Sequence, residues 1–428
     1  MPIDYSALKD APRLLIEATL RPLQGDRFQS TGFADLGPAR YTVPNSDGTL
    51  TEKLLVESAQ SVANHLEMAC WDDAENDWIK ELRGIPFVRI DCGSLGKTST
   101  VQEFHRLNSP YIWKGEEMAQ TTEFRKAFLS DLGITAVKTK KSKDEEDSND
   151  SIPGVIDRKR FHHTVFKWDP NSLMHGLFLE KIDGRLRITR ALSGFIEATG
   201  VRVAESGGTK VDNVLPSPKR AGVDAKGGFG NVPYHRTEFT AEKIVAFFNL
   251  DLALIRGYAL GEAATHFMIA FALLKITRFL ASGLRLRAAC DLEEIKLSVT
   301  RPVSFSMPSE DELLKDCAML IEKCKAAGLF VAEQNIVVFK LKLPAVKVDL
   351  PLNTPVPVIP AELKSLIVYK KPTAKKGGTI TVKPEIEKSP EEIAELLFPT
   401  DESARLAIIE AYDVDGEAGP DTEPNNEV

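Results

Sequence analysis

The stretch from Ala263 to Leu280 is apolar on nearly every face, and the run Phe267 to Leu274 inside it is broken only at Lys275. A helix without a polar face must be enclosed by other elements, which requires a layered domain with a sizeable core. The same run is far shorter than the roughly 20 residues that span a bilayer. No basic region followed by an apolar one opens the sequence, so the expectation is a cytoplasmic protein with no membrane partner. With 428 residues, 43% hydrophobic and 27% charged, the chain has room for two or three domains of ordinary globular composition. Its five cysteines lie far apart with no CxxC pair, which argues against a disulfide framework.

Around the enclosed helix the pattern is α+β. Arg13 to Leu20 reads as a first strand, stopped by Pro22 and Gly25. Leu55, Ala59, Val62, Leu66 and Ala69 put one apolar stripe on a helix from about Leu54 to Cys70. Val165 to Leu179, Arg185 to Ile188 and Val201 to Ala204 read as strands, and Leu192 to Ala198 and Thr240 to Phe248 as short helices. After Gly283, Leu284, Leu286 and Ala288 alternate with Arg285, Arg287 and Ala289, a half-buried strand with both arginines on one face. Ser309 to Glu312 forms a capping box that opens an amphipathic helix, followed by a strand near Asn335 to Leu343. The expected organisation is a core over 1–302 with a charged mobile loop at 137–152, and a helix-strand extension over 303–343. A linker rich in proline and lysine follows over 344–388, and then short helices and a disordered acidic tail over 389–428.

Net charge is −8, yet residues 154–302 hold 22 Lys and Arg against 15 Asp and Glu, so the remainder carries about −15. A basic middle in an acidic chain suggests a local site for a polyanion. Catalytic patterns are missing. A strand followed by Gly93, Gly96, Lys97 and Thr98 suggests a phosphate loop, but the spacing of GxxxxGK[ST] needs glycine where Asp91 stands. The histidines make no HxxxH pair, and no GxSxG elbow occurs, so neither a metal nor another cofactor is expected.

The loop from Arg21 to Phe33 interleaves Arg21, Gln24, Arg27, Phe28 and Gln29, residue types that meet RNA phosphates, bases and sugars. Lys167, Trp168, Asn171 and His175 form a second such group, and Arg285 with Arg287 a third. Several runs in order resemble the RAMP-superfamily backbone subunit of type I-U (I-G) CRISPR effectors: LLIEATLRP (14–22), RFQSTGF (27–33), LVESAQS (55–61), RLNSPYI (106–112), FKWDPNSLMHG (166–176), SGGTK (206–210), GFGNVP (228–233), FNLDLALIRGY (248–258) and LRLRAACDL (284–292). The resemblance covers about residues 12–302. It implies a modified ferredoxin-like (RRM-like) RAMP fold with long insertions, lined up head to tail with other copies along the guide RNA (crRNA). Other effector subunits would be partners, and target DNA would be met through the guide. The residues expected at the RNA are Arg21, Gln24, Arg27, Phe28, Gln29, Asn108, Lys167, Trp168, Asn171, His175, Lys210, Asn231, Arg236, Arg256, Arg285 and Arg287. The subunit would be non-catalytic, the alternative being a metal-assisted ribonuclease using Asp26.

Overall fold

The computed structural model describes residues 3–33, 37–91, 96–113, 122–134, 157–180, 186–210, 232–331, 338–340, 345–373, 377–383, 386 and 388–414. The chain divides into two compact units. One comprises Met1–Val88, Ser99–Ser109 and Ala127–Val337, the other Arg89–Thr98, Pro110–Lys126 and Val338–Val428.

The larger unit is built on an antiparallel sheet. Its strands are β1 (Arg13–Pro22), β2 (Arg40–Pro44), β3 (Leu50–Glu57), β4 (Leu192–Thr199), β7 (Lys243–Asp251), β8 (Arg285–Arg287) and β9 (Cys290–Arg301), in the order β8-β9-β1-β7-β4-β3-β2. Between β4 and β7 the chain makes a separate hairpin of β5 (Arg202–Lys210) and β6 (Val232–Thr240). Period-2 burial sets the register. Leu14, Ile16, Ala18 and Leu20 of β1 face inward beside Leu250, Phe248, Ala246 and Ile244 of β7. That inner face is covered by helix α1 (Ala59–Met68) and by α4 (Glu262–Ala281), the enclosed helix, whose Phe267, Phe271 and Leu274 are fully buried. Helix α4 is long and apolar enough to cross a membrane by length and composition alone; here it is the core of the fold. Helices α2 (Arg158–Trp168), α3 (Pro170–His175) and α5 (Glu310–Ala326) also belong to the unit, and α5 carries the expected capping box at Ser309 and Glu312.

Several elements differ from the sequence expectation. The helix expected from Leu54 starts only after Ser58, whose side chain accepts from Ser61 N; before it, Leu54 and Val56 alternate inward on β3. Where a strand was expected from Val165, Asp157 caps α2 and Asp169 caps α3, so two helices occupy 158–175. The short helices expected at Leu192 to Ala198 and Thr240 to Phe248 are instead parts of the central strands β4 and β7, because their apolar residues alternate.

The smaller unit replaces the expected linker. Strands β10 (Val346–Asp349), β11 (Ile367–Lys370) and β12 (Thr379–Val382) make a sheet with β12 central. Helices α6 (Pro390–Leu397) and α7 (Glu402–Val414) bury Ile393, Leu397, Ala404 and Ile408 in a common core with Val348, Ile367, Ile380 and Val382. The prolines lie between these strands, and the charged residues alternate outward, which conceals a small core in a sequence that looks extended. The loop expected at 137–152 lies outside the described residues, as does the acidic tail beyond Val414; Asp413, where that tail was expected to begin, still belongs to α7.

Candidate nucleic-acid interface

The loop after β1 is stitched to the sheet by backbone hydrogen bonds. Leu23 N donates to Asp291 O (2.9 Å), Gln29 N to Ala289 O (2.8 Å) and Thr31 N to Val56 O (3.1 Å). Phe28 and Phe239 exchange two bonds of 2.9 Å each, which ties the loop to strand β6 of the hairpin. The turn at Gly25, with φ +62°, uses a conformation that glycine adopts without strain. The loop therefore brings the ends of β1, β8 and β9 together with the base of the β5-β6 hairpin.

Four guanidinium groups gather there. Arg21 pairs with Glu293, and Arg285, 84% exposed at its side chain, lies 3.8 Å from Asp291. Arg27 and Arg236 approach the two oxygens of Glu238 at 3.4 and 3.6 Å, and Arg236 also stands over the Tyr234 ring. Three carboxylates pair with these four cations, and Asp26 is exposed next to Arg27. The exposed pairs of Arg21 and Arg285 are worth about 0–1 kcal/mol, so a phosphate can displace their carboxylates at little cost, whereas Glu238 is buried and keeps a claim on Arg27 and Arg236. Gln24 is exposed beside them, whereas Gln29 is half-buried. Lys210 is exposed at the far end of the hairpin opposite Val232, eight residues from its base pair Arg202 and Thr240, roughly 26 Å away at strand rise.

The remaining expected contacts are drawn into the protein. Phe28 is 1% exposed and cannot stack on a base. Arg287 pairs with Glu57, which is 2% exposed, and donates to Gln29 O at 3.1 Å. An irregular register between Arg285 and Arg287, followed by Ala289 at φ 57°, breaks the alternation and turns Arg287 inward. Arg256 donates to Leu8 O (3.2 Å) and Ala11 O (2.8 Å), which anchors the N-terminal segment. Asn108 is half-buried and its Oδ1 accepts from Glu180 N at 3.2 Å. Asn231 lies outside the described residues.

From the Lys167 to His175 group, Trp168, Asn171 and His175 belong to an internal polar lattice, while the Lys167 side chain stays 38% exposed at its edge. Asp131 accepts from both Lys167 Nζ and Trp168 Nε1 at 2.7 Å, and Trp168 is buried. The fully buried Lys275 donates to Asn171 Oδ1 (2.8 Å), Leu66 O (3.0 Å) and Glu67 O (3.3 Å), and burial pulls its pKa down to about 8. Glu67 pairs with Arg106, whose Nη1 donates to Gly176 O at 3.0 Å; burial raises the Glu67 carboxyl against that pairing. Asp169 accepts from Ser172 Oγ (2.7 Å) and N (3.0 Å) and is likewise raised by burial. His175 is fully buried, both ring nitrogens lack a partner among the described residues, and burial holds its pKa well below 6.5, so it is neutral near pH 7. Sequence reasoning took these polar residues for a surface because it could not see Lys275, which enters from the opposite side of the core.

Asp26 is exposed next to Arg27, and the described residues contain no group of three His, Cys, Asp or Glu placed to hold a metal. The glycine loop at 92–95 lies outside the described residues.

On the other face of the sheet, the side chains of Phe195 on β4 and Phe247 on β7 stack with centroids 5.1 Å apart and planes at 27°. Both were missed in the sequence because their segments read as helical. Strand alternation through Ser193, Phe195 and Glu197 was the signal available.

Comparison with known proteins gives one family match. Residues 14–203 match the model of the family described as CRISPR-associated protein GSU0053 (Cas_GSU0053), in line with the resemblance carried by the sequence runs. No curated protein sequence matches the chain. Among solved structures, a chain of a CRISPR RNA-guided surveillance complex in a pre-nicking state is similar at 15% identity and a TM-score of 0.36, covering 74% of this chain and 89% of that one. Csc2 of Thermofilum pendens is similar at 11% identity and a TM-score of 0.27, covering 76% and 82% respectively.

Proposed function

From a CRISPR-associated family pattern over residues 14–203, we propose that this chain is a repeated, non-catalytic backbone subunit of a type I-U (I-G) CRISPR effector. In this reading it grips guide RNA by its phosphates and leaves the bases free to pair with target DNA. The observation that carries the RNA contact is the cluster of Arg21, Arg27, Arg236 and Arg285, in which Arg21, Arg27 and Arg285 are exposed and Arg21 and Arg285 are held only by exchangeable surface pairs. Guanidinium groups gathered at one place suit a backbone, whose phosphates carry charge and no sequence. The palm is read as ferredoxin-like because β1, β4, β7 and β9, taken in chain order, stand in the sheet as 4-1-3-2. Helix α1 lies between the first two and α4 between the last two, the order of a split βαβ motif. The hairpin and the segments beside it are then insertions on that palm, and copies of the chain would repeat along the guide beside other effector subunits.

Purification from cells that co-express a repeat array tests the reading. Protein carrying RNA of one guide length, in assemblies of several copies, is the expected outcome. Monomeric protein free of nucleic acid, which also fails to shift guide RNA at low salt, would overturn it.

A further inference from the structure

The sheet face turned away from α4 holds a depression of about 250 Å³, lined by Leu15, Glu17, Ser193, Phe195, Phe247 and Asn249 among others, with Ala59 at the start of α1 also reaching it. Drug-sized ligands occupy pockets of about 300–1,000 Å³, so this one has room for a single planar heterocycle. Its floor is the stacked phenylalanine pair, and Phe195 is 38% exposed, although aromatic side chains at the centre of a sheet are ordinarily covered. The rim carries the acceptor Glu17 and the amide of Asn249, whose Oδ1 lies 3.5 Å from Arg13 Nη1. One acceptor and one amide donor complement a base edge, which presents both. On the neighbouring strand β9, Lys296 and Arg301 stand opposite Thr19 and Leu15, hence on the same face; both are exposed and neither has an ion pair among the described residues. Both cations stand on β9, two strands from Phe247 and three from Phe195, one displaced to each side of the Glu17–Phe247 pair along the strand direction, so a base lying across β1 onto the two rings leaves its adjoining phosphates over β9.

We propose that this face is a second nucleic-acid site, which stacks one unpaired base of a single-stranded RNA on Phe195 and Phe247. Lys296 and Arg301 hold the adjoining phosphates. The site is distinct from the arginine cluster at the end of β1 and does not depend on it: either could fail alone.

The test uses the full chain and an oligouridylate decamer carrying 5-iodouridine. Irradiation of the wild-type complex, followed by mass spectrometry of the digested protein, is expected to place the crosslink on a peptide containing Phe195 or Phe247. The double variant Phe195→Leu, Phe247→Leu, which keeps apolar bulk, is expected to bind the decamer about tenfold more weakly with an unchanged salt slope, since stacking releases no counterions. A decamer with abasic residues should bind the wild type no better than the variant binds the intact one. Crosslinks confined to other peptides overturn the proposal and need no variant to fold. A double variant that keeps its affinity but no longer self-associates in sedimentation would also overturn it, making the face a contact between copies of the chain.

Discussion

Arg287 and Arg285 are separated by one residue, yet replacing them should have opposite consequences. Arg287→Met removes the guanidinium from Glu57, which is 2% exposed and would be left as a buried, unpaired carboxylate. Breaking a buried pair on one side costs about 3–5 kcal/mol, and the lost bond to Gln29 O adds about 1 kcal/mol. Since the Arg287 side chain is itself 22% exposed, water can reach the site, and a total of about 3 kcal/mol is the reasoned figure. Arg285→Met, at a side chain 84% exposed and 3.8 Å from its partner, should stay within about 0.5 kcal/mol of wild type. Urea unfolding of both variants at pH 7 supplies the measurement. Adding Glu57→Gln to Arg287→Met should recover at least half of the loss, because the stranded charge is gone. An Arg287→Met protein as stable as wild type would refute the buried-pair reasoning, and so would an Arg285→Met protein destabilised to the same degree.

Lys275 makes stability depend on pH. Its folded pKa of about 8 lies below the ordinary 10.5, so the burial penalty is present in full below pH 8 and is relieved as pH rises to 10.5. Wild type should therefore gain about 3 kcal/mol relative to Lys275→Met across that window, and parallel pH profiles would contradict this. Ile380→Ala, at a fully buried position, should cost the smaller unit about 2–5 kcal/mol while leaving RNA affinity unchanged; an unaltered unfolding profile would count against a packed core there. Trp168→Phe should lower stability through the lost bond to Asp131, with no change in the salt slope of RNA binding; a flattened slope would return Trp168 to the interface.

The elements that the sequence made legible are those whose pattern is set locally. The enclosed helix α4, the first strand and the Ser309 capping box each depend on residues within a few positions of one another. Misread segments were those where two periods compete. Leu192 to Ala198 and Lys243 to Phe248 are short and rich in apolar residues, and only pairing with β1 and with each other decides for strand. The site divides on the same principle. Arg21, Arg27 and Arg285 stay outside because their neighbours in the chain hold the exposed ends of strands. Asn171 and Arg256 are drawn inward by partners 104 and 248 positions away, and Arg287 by a register shift, which no spacing rule encodes.

The salt dependence of guide-RNA affinity tests the central claim most directly, for wild type and for the triple variant Arg21→Gln, Arg27→Gln, Arg285→Gln. Each lost phosphate contact on a single strand removes about 0.7 from the slope of log K against log salt, so the account predicts a slope flatter by about 2, equally for every guide sequence. A folded triple variant with the wild-type slope and affinity would contradict it and place the RNA on another surface.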